Sequence, residues 1–304
     1  MKKKLLTAAC VLALCLSLSP AYAEEAGTGS NTAPVAENFE LCTYRNVSIG
    51  GQLAAVDPDG DPVTFHLTTE PIKGTVEIQE NGEFVYTPNE GKRGRDYFGY
   101  KAVDSNGNES QEATVIISIK KQKTAVTYSD MTGRAEEYAA VLLAEEGLCT
   151  GQCIGGTYLF NPDSAITRSE FLALCMELTG EPVLEGVMTT GFGDDAEIPA
   201  WSKSYVSTAL MNGNIQGYSN GEAMVFDAQR GITRAEAAVM LDSLVQTTPV
   251  TVQESDAVPT WACQAVANLS SCDVYPNGSD SAATLTRADA AQMLVNAMAV
   301  LERR

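Results

Sequence analysis

Histidine is almost missing from this chain: His66 is the one imidazole in 304 residues. Catalysis through a Ser-His or Cys-His pair has a single position to build on, and His66 lies in the alternating segment VTFHLTT, the pattern of a half-buried strand. Tryptophan occurs twice, as Trp201 and Trp261. No two of the eight cysteines stand in a CxxC spacing, which with the lone histidine argues against a zinc ligand set. Basic residues number 20 against 39 acidic ones, and the formal charge of -19 argues against nucleic acid as a partner. Beyond the N-terminal segment, no run reaches the roughly 18 apolar residues of a membrane span.

What is present begins with export. MKKKLLTAACVLALCLSLSPAYA combines a basic start, an apolar stretch and an Ala-Tyr-Ala end, so residues 1-23 read as a signal peptide cleaved after Ala23. Cleavage removes Lys2, Lys3 and Lys4, leaving 17 basic residues and a charge of -22. Of the six cysteines that remain, Cys149 with Cys153 and Cys263 with Cys272 are the locally feasible bridges. Cys175, inside FLALCMEL, reads as a buried free thiol. Residues 24-32 (EEAGTGSNT) are small and polar, as in a flexible leader.

Residues 33-119 alternate in short segments such as GTVEIQ, EFVYTP and EATVIISI, with Asn-Gly turns at 81-82 and 106-107. About seven strands in this length suit an immunoglobulin-like sandwich. The stretch is similar to bacterial cadherin-like and immunoglobulin-like modules of surface proteins, through APVAEN, AVDPDGDPVTF, FVYTPNEG, GRDYFGYKAVDSNGN and the closing TVIISI. In DPDGDP, Asp57, Asp59 and Asp61 alternate around Gly60, and Asp104 ends a later strand. Four hard oxygen ligands so spaced could hold calcium; equally, aspartates of this kind build turns by capping their own backbone. Beyond the calcium alternative no cofactor is expected.

Residues 120-127, with Lys120, Lys121 and Lys123, read as a linker. After them a tetrad recurs three times at the head of an apolar helical stretch: Thr167-Arg168-Ser169-Glu170, Thr233-Arg234-Ala235-Glu236 and Thr286-Arg287-Ala288-Asp289. Each has the form of a capping box, with Ile166, Ile232 or Leu285 before it in the staple position. Arginine at the first helical position opposes the helix dipole. Repeated at one register, it suggests that guanidinium and helix N-terminus together face an external anion. Upstream lie matching acid and aromatic landmarks, Asp130 with Tyr138, Asp194 with Trp201, and Asp256 with Trp261. The arginines are 66 and 53 residues apart, so the unit is helix, loop, helix with a loop of variable length.

Residues 128-301 resemble three S-layer homology domains, here 128-180, 190-247 and 252-304. The second carries the pattern most fully, in Phe192-Gly193-Asp194, Pro199-Ala200-Trp201, Gly217-Tyr218, Phe226 and ITRAE. In the first, Tyr138 stands for the tryptophan; the third lacks the Gly-Tyr and Phe-x-Pro landmarks. The resemblance implies a multidomain chain, an all-β sandwich followed by an all-α, three-repeat pseudo-threefold prism. It implies non-covalent binding, between repeats, of an anionic, pyruvylated secondary cell wall polysaccharide or another peptidoglycan-linked polymer, through Arg168, Arg234, Arg287, Trp201, Trp261, Asp194 and Asp256. A planar bidentate donor suits a ketal carboxylate, and an aromatic face suits a sugar. The tryptophans could instead be core anchors, and the arginines could pair with neighbouring acids. The expected protein is secreted, non-catalytic and held at the cell wall in or near the S-layer. The alternative is a structural or adhesive subunit whose sandwich self-associates or binds a host or matrix ligand.

Overall fold

In the computed structural model the described residues are 31-252, 257-276 and 280-303. The signal segment at 1-23, most of the 24-32 leader and Asp256 lie outside them. The chain divides into two compact units, the first ending at Val141 and the second beginning at Leu142.

The first unit is a sandwich. Its strands are β1 (Val35–Ala36), β2 (Phe39–Tyr44), β3 (Ile49–Gln52), β4 (Ala55–Val56), β5 (Val63–Thr69), β6 (Gly74–Ile78), β7 (Glu83–Pro88), β8 (Gly94–Asp104) and β9 (Ala113–Lys120). One sheet has the order β2-β9-β8-β5, with β2 parallel to β9; the other is β3-β7-β6, and β1 pairs with β4 alone. Alternation decides which face is inside: Ala113, Val115, Ile117 and Ile119 of β9 are buried, and the residues between them are not. Tyr86, Phe98 and Tyr100 fill the core with no exposed surface, and Phe84 meets Phe98 edge-on at 5.3 Å. The buried Asp96 carboxylate accepts from the Tyr86 hydroxyl at 2.8 Å and from the Ile72 and Lys73 amides, linking β8 to the turn before β6.

The chain after β9 remains with the sandwich. Val126, Tyr128 and Met131 are buried. The Gly50 amide on β3, an outer strand, donates to the Ala135 carbonyl at 2.9 Å, and the Tyr138 amide donates to the Ser48 carbonyl at 3.1 Å. The Glu137 carboxylate accepts from the Ser48 amide at 2.9 Å and from the Gly133 amide at 3.2 Å. Tyr138 stacks on Tyr44 at 5.7 Å. An open strand edge is thereby covered by its own chain.

Helix α1 (Glu137–Glu145) starts here and is followed by α2 (Arg168–Thr179), α3 (Lys203–Met211), α4 (Arg234–Val245), α5 (Cys263–Ser270) and α6 (Arg287–Glu302). Two small hairpins interrupt them, β10 (Gln152–Ile154) with β11 (Thr157–Leu159), and β12 (Tyr218–Ser219) with β13 (Met224–Val225). In the second unit α2 packs against α3, α4 and α6, and α4 against α5. The contacting faces are rich in small residues, such as Ala237 and Ala238 on α4 and Ala290, Ala291 and Ala297 on α6. Cys149, Cys153, Cys175, Cys263 and Cys272 are not disulfide-bonded, and Cys175 is fully buried. The local bridges suggested by sequence spacing do not form. Cys263 opens α5 and Cys272 lies two residues past its last residue, Ser270, so about 10 Å of helix separates them, beyond the reach of a disulfide.

Candidate functional site

The three tetrads do open α2, α4 and α6. Thr167 and Thr233 form complete capping boxes, each hydroxyl accepting from the third helical amide while Glu170 or Glu236 accepts from the threonine amide. The third box is half made. Thr286 accepts from the Asp289 amide at 3.1 Å, but aspartate is one methylene shorter, and its carboxylate takes the Thr286 hydroxyl instead.

The tetrads close on one another. The Ile166 amide donates to the Leu285 carbonyl at 3.1 Å, Leu285 to Ile232 at 2.8 Å, and Ile232 back to Ile166 at 3.0 Å. The first two amides of each helix run the opposite way round: Arg168 and Ser169 donate to Arg230 and Ala228, Arg234 and Ala235 to Ala283 and Ser281, Arg287 and Ala288 to Ser164 and Pro162. This corrects one sequence expectation. The helix N-terminal amides do not face an external anion, because the cap and the neighbouring loop take them.

The arginine side chains run the same way round. Arg168 reaches Glu236 at 3.1 Å, Arg234 reaches Asp289 at 2.7 Å, and Arg287 approaches Glu170 at 3.8 Å. Of the two sequence readings, an external anion or a neighbouring acid, the structure shows the second contact: each arginine pairs with the acid of another tetrad. Arg168 is also stacked 5.0 Å from the Phe226 ring centre and donates Nε to the Phe226 carbonyl. Arg287 repeats this with Phe160, at 5.2 Å. The phenylalanine landmark therefore acts as an arginine clamp. Burial lowers the pKa of Arg168, and Glu236 works against that shift.

Arg234 differs. Its Nη2 meets Asp289, and among the described residues no other side-chain contact holds its guanidinium, since the third loop supplies no clamping phenylalanine. A second arginine, missed in the sequence because it lies outside the tetrad, joins the Arg168 pair. Arg230 forks onto Glu236 at 2.7 and 3.2 Å, meets Asp227 at 2.9 Å and lies 5.8 Å from the Tyr218 ring centre. Burial, the largest single effect, opposes ionisation of Glu236, but the hydrogen bonds from Arg230 and the Thr233 amide and the charges of Arg168 and Arg230 together hold its carboxyl below the usual value.

The landmarks upstream have separate fates. Trp201 is 53% and Trp261 61% exposed, so neither is a core anchor. The Asp194 carboxylate accepts from the Phe226 and Asp227 amides at 3.0 and 2.7 Å, bracing the clamp loop. Tyr138 does not stand where the tryptophans do. The Leu148, Asn214 and Val274 amides each donate to the carbonyl five residues back, at 2.8 Å in all three segments, and the Ala140, Val206 and Val266 amides donate to Glu136, Ser202 and Ala262. In that register Ala135 corresponds to Trp201 and Trp261, and Tyr138 is buried against Tyr44.

The aspartates proposed for calcium are placed by turns. Asp57 accepts from the Asp59 and Asp61 amides, and Asp104 from the Asn106 and Asn108 amides and from Asn31 and Asn108 side chains. Asp59 accepts from the Thr32 amide and Asp61 from the Asn106 side chain. Asp57 Oδ2 is buried without a partner, yet no group of three or more His, Cys, Asp or Glu among the described residues is positioned to hold a metal. The residues fit turn capping and not an assembled ligand set.

Comparison with known proteins agrees with both halves. The model of the bacterial cadherin-like domain matches residues 31-121, and that of the S-layer homology domain matches 191-238. Over 170 residues the chain is 28% identical to the surface-layer 125 kDa protein of Lysinibacillus sphaericus, a match that covers 51% of this chain and 13% of that protein's length. Among solved structures, human protocadherin-24 EC1-2 is similar over 30% of this chain and 53% of its own, with 21% identity and a TM-score of 0.25. The PKD domain of an M14-like peptidase from a Thermoplasmatales archaeon is similar over 30% of this chain and all of its own, with 20% identity and a TM-score of 0.22. The chain carries a bacterial cadherin-like domain followed by a helical region with an S-layer homology domain, and is a cell-surface, wall-associated protein.

Proposed function

We propose that the protein is a non-catalytic anchor, held at the wall by its helical half binding an anionic secondary cell wall polysaccharide, with the sandwich as the displayed module. The observation that carries this reading is the exposure of Trp201 and Trp261. Folding alone favours burying such side chains, and two at one register of successive helical segments offer repeated flat faces to a sugar chain. Arg234 supplies the charge-assisted contact, since its guanidinium has donors to spare where Arg168 and Arg287 are clamped. Asp194 and the clamped arginines position the loops. Asp256 is assigned to the third place by its sequence position alone. The circuit of backbone bonds supports a pseudo-threefold prism of three S-layer homology repeats, the third without a full clamp.

The test is co-sedimentation of the full chain with purified walls before and after the polysaccharide is stripped; binding that survives stripping sinks the proposal. Arg234→Ala should weaken binding about tenfold to a hundredfold, the worth of one charge-assisted hydrogen bond at roughly 1.5 to 3 kcal/mol, with a small change in melting temperature. A second role for the sandwich is favoured by the cross-strand pair Val35 and Val56, 62% and 61% exposed. Such an apolar pair suits self-association or an adhesion ligand. Replacing both valines with serine should abolish any concentration-dependent sedimentation.

A further inference from the structure

We infer that the chain has two sugar-stacking places and not three, because the first helical segment has given its aromatic position to holding the sandwich. This rests on the wall-polymer reading above and adds to it the number of aromatic contacts. Ala135 stands where Trp201 and Trp261 stand in the later segments. No indole could occupy it: the Ala135 carbonyl accepts from Gly50 at 2.9 Å, and a Cβ added at Gly50 would lie only 2.6 Å from the Ala135 Cβ. Backbone thus approaches backbone where the other two segments project a ring into solvent.

The neighbours complete a clasp. Glu137 turns its carboxylate onto the Ser48 and Gly133 amides and is 5% exposed. Tyr138, one turn along α1, stacks on Tyr44 and is 9% exposed. The corresponding positions one turn beyond the tryptophans are Ser204 and Gln264, neither of them aromatic. Glu137 and Tyr138 are therefore directed at the sandwich, while Arg134 and Glu136 beside Ala135 pair with each other at 3.4 Å. Trp201 and Trp261 carry the opposite signature, exposed rings whose removal leaves no core cavity.

Binding of a purified pyruvylated wall polysaccharide to the full chain tests this. Trp201→Ala and Trp261→Ala should each weaken binding at least fivefold without changing the melting temperature. Tyr138→Leu should lower the melting temperature and leave binding by the folded protein within twofold. In each tryptophan variant, the remaining indole should still shift its emission when polymer is added. That readout also decides the matter if Tyr138→Leu does not fold. An effect confined to one tryptophan, silence of either remaining indole, or weakened binding in Tyr138→Leu at unchanged melting temperature would overturn the assignment. Absence of binding by the unaltered chain would instead remove the wall-polymer reading on which it rests.

Discussion

Arg168 is held from three sides at once, by a ring beneath it, a carbonyl on Nε and a carboxylate on Nη1 that Arg230 shares. Removing the side chain deletes a buried charge together with its stacking and hydrogen bonds. Because Arg230 still neutralises Glu236, Arg168→Ala should cost about 2 to 3 kcal/mol, less than a fully orphaned buried charge, as urea denaturation would show. Asp195 offers a pH readout. Hydrogen bonds from Lys203 and Thr190 lower its pKa from 3.8 to about 2, so its contribution is complete above the unfolded value and is lost as pH falls through the folded one. Asp195→Asn should lower the melting temperature at neutral pH and flatten its further loss between about pH 4 and pH 2, measured by melting against pH. At this scale the sequence identified the arginines but not their partners. Glu236 lies 68 residues beyond Arg168, a distance no local pattern spans. Arg230 was invisible for a related reason: its value comes from the company of Tyr218 and Asp227, which the hairpin brings to it.

At the scale of elements, the clasp of β3 by the segment before α1 is the more exacting contact. Gly50→Ala should destabilise the first unit by at least 1 kcal/mol, since the new methyl meets Ala135 backbone as well as side chain and neither can swing away. The check is the unfolding midpoint, with Gly51→Ala excluded as a control because Phe84 crowds that position. The alternating strands, the Asn-Gly turns and the three threonine caps were all legible, because each is a local rule written in adjacent residues. The clasp was not. Its surface is Ser48, Gly50 and Ala135, small residues without a periodic signature, so the segment read as linker and first repeat. The aromatic at Tyr138 likewise matched by type while its hydrogen-bond register placed it one turn along the helix.

For the molecule as a whole, the circuit of tetrads makes each helical segment depend on both others. A chain ending before residue 249 lacks the Leu285 carbonyl for Ile166, the Asp289 carboxylate for Arg234, and Arg287 itself. Calorimetry of that truncated chain should show the cooperative transition of the second unit lost, rather than shortened by a third of its enthalpy; a sharp residual transition would refute the dependence. The tetrad spacings of 66 and 53 residues gave no sign of closure, because they measure loop length and not the rotation from one helix to the next; a closed prism was expected from the family resemblance alone.

The three bonds among Ile166, Ile232 and Leu285 also govern how such a chain can evolve. An open stack of repeats gains or loses copies at its ends, since each copy answers only to adjacent ones. Here there are no ends. Insertions can lengthen the loops freely, but a fourth copy would have no donor or acceptor to claim, and a missing one would strand two. Copy number is thus fixed by hydrogen-bond valence, while the residues outside the circuit are free to change without breaking it.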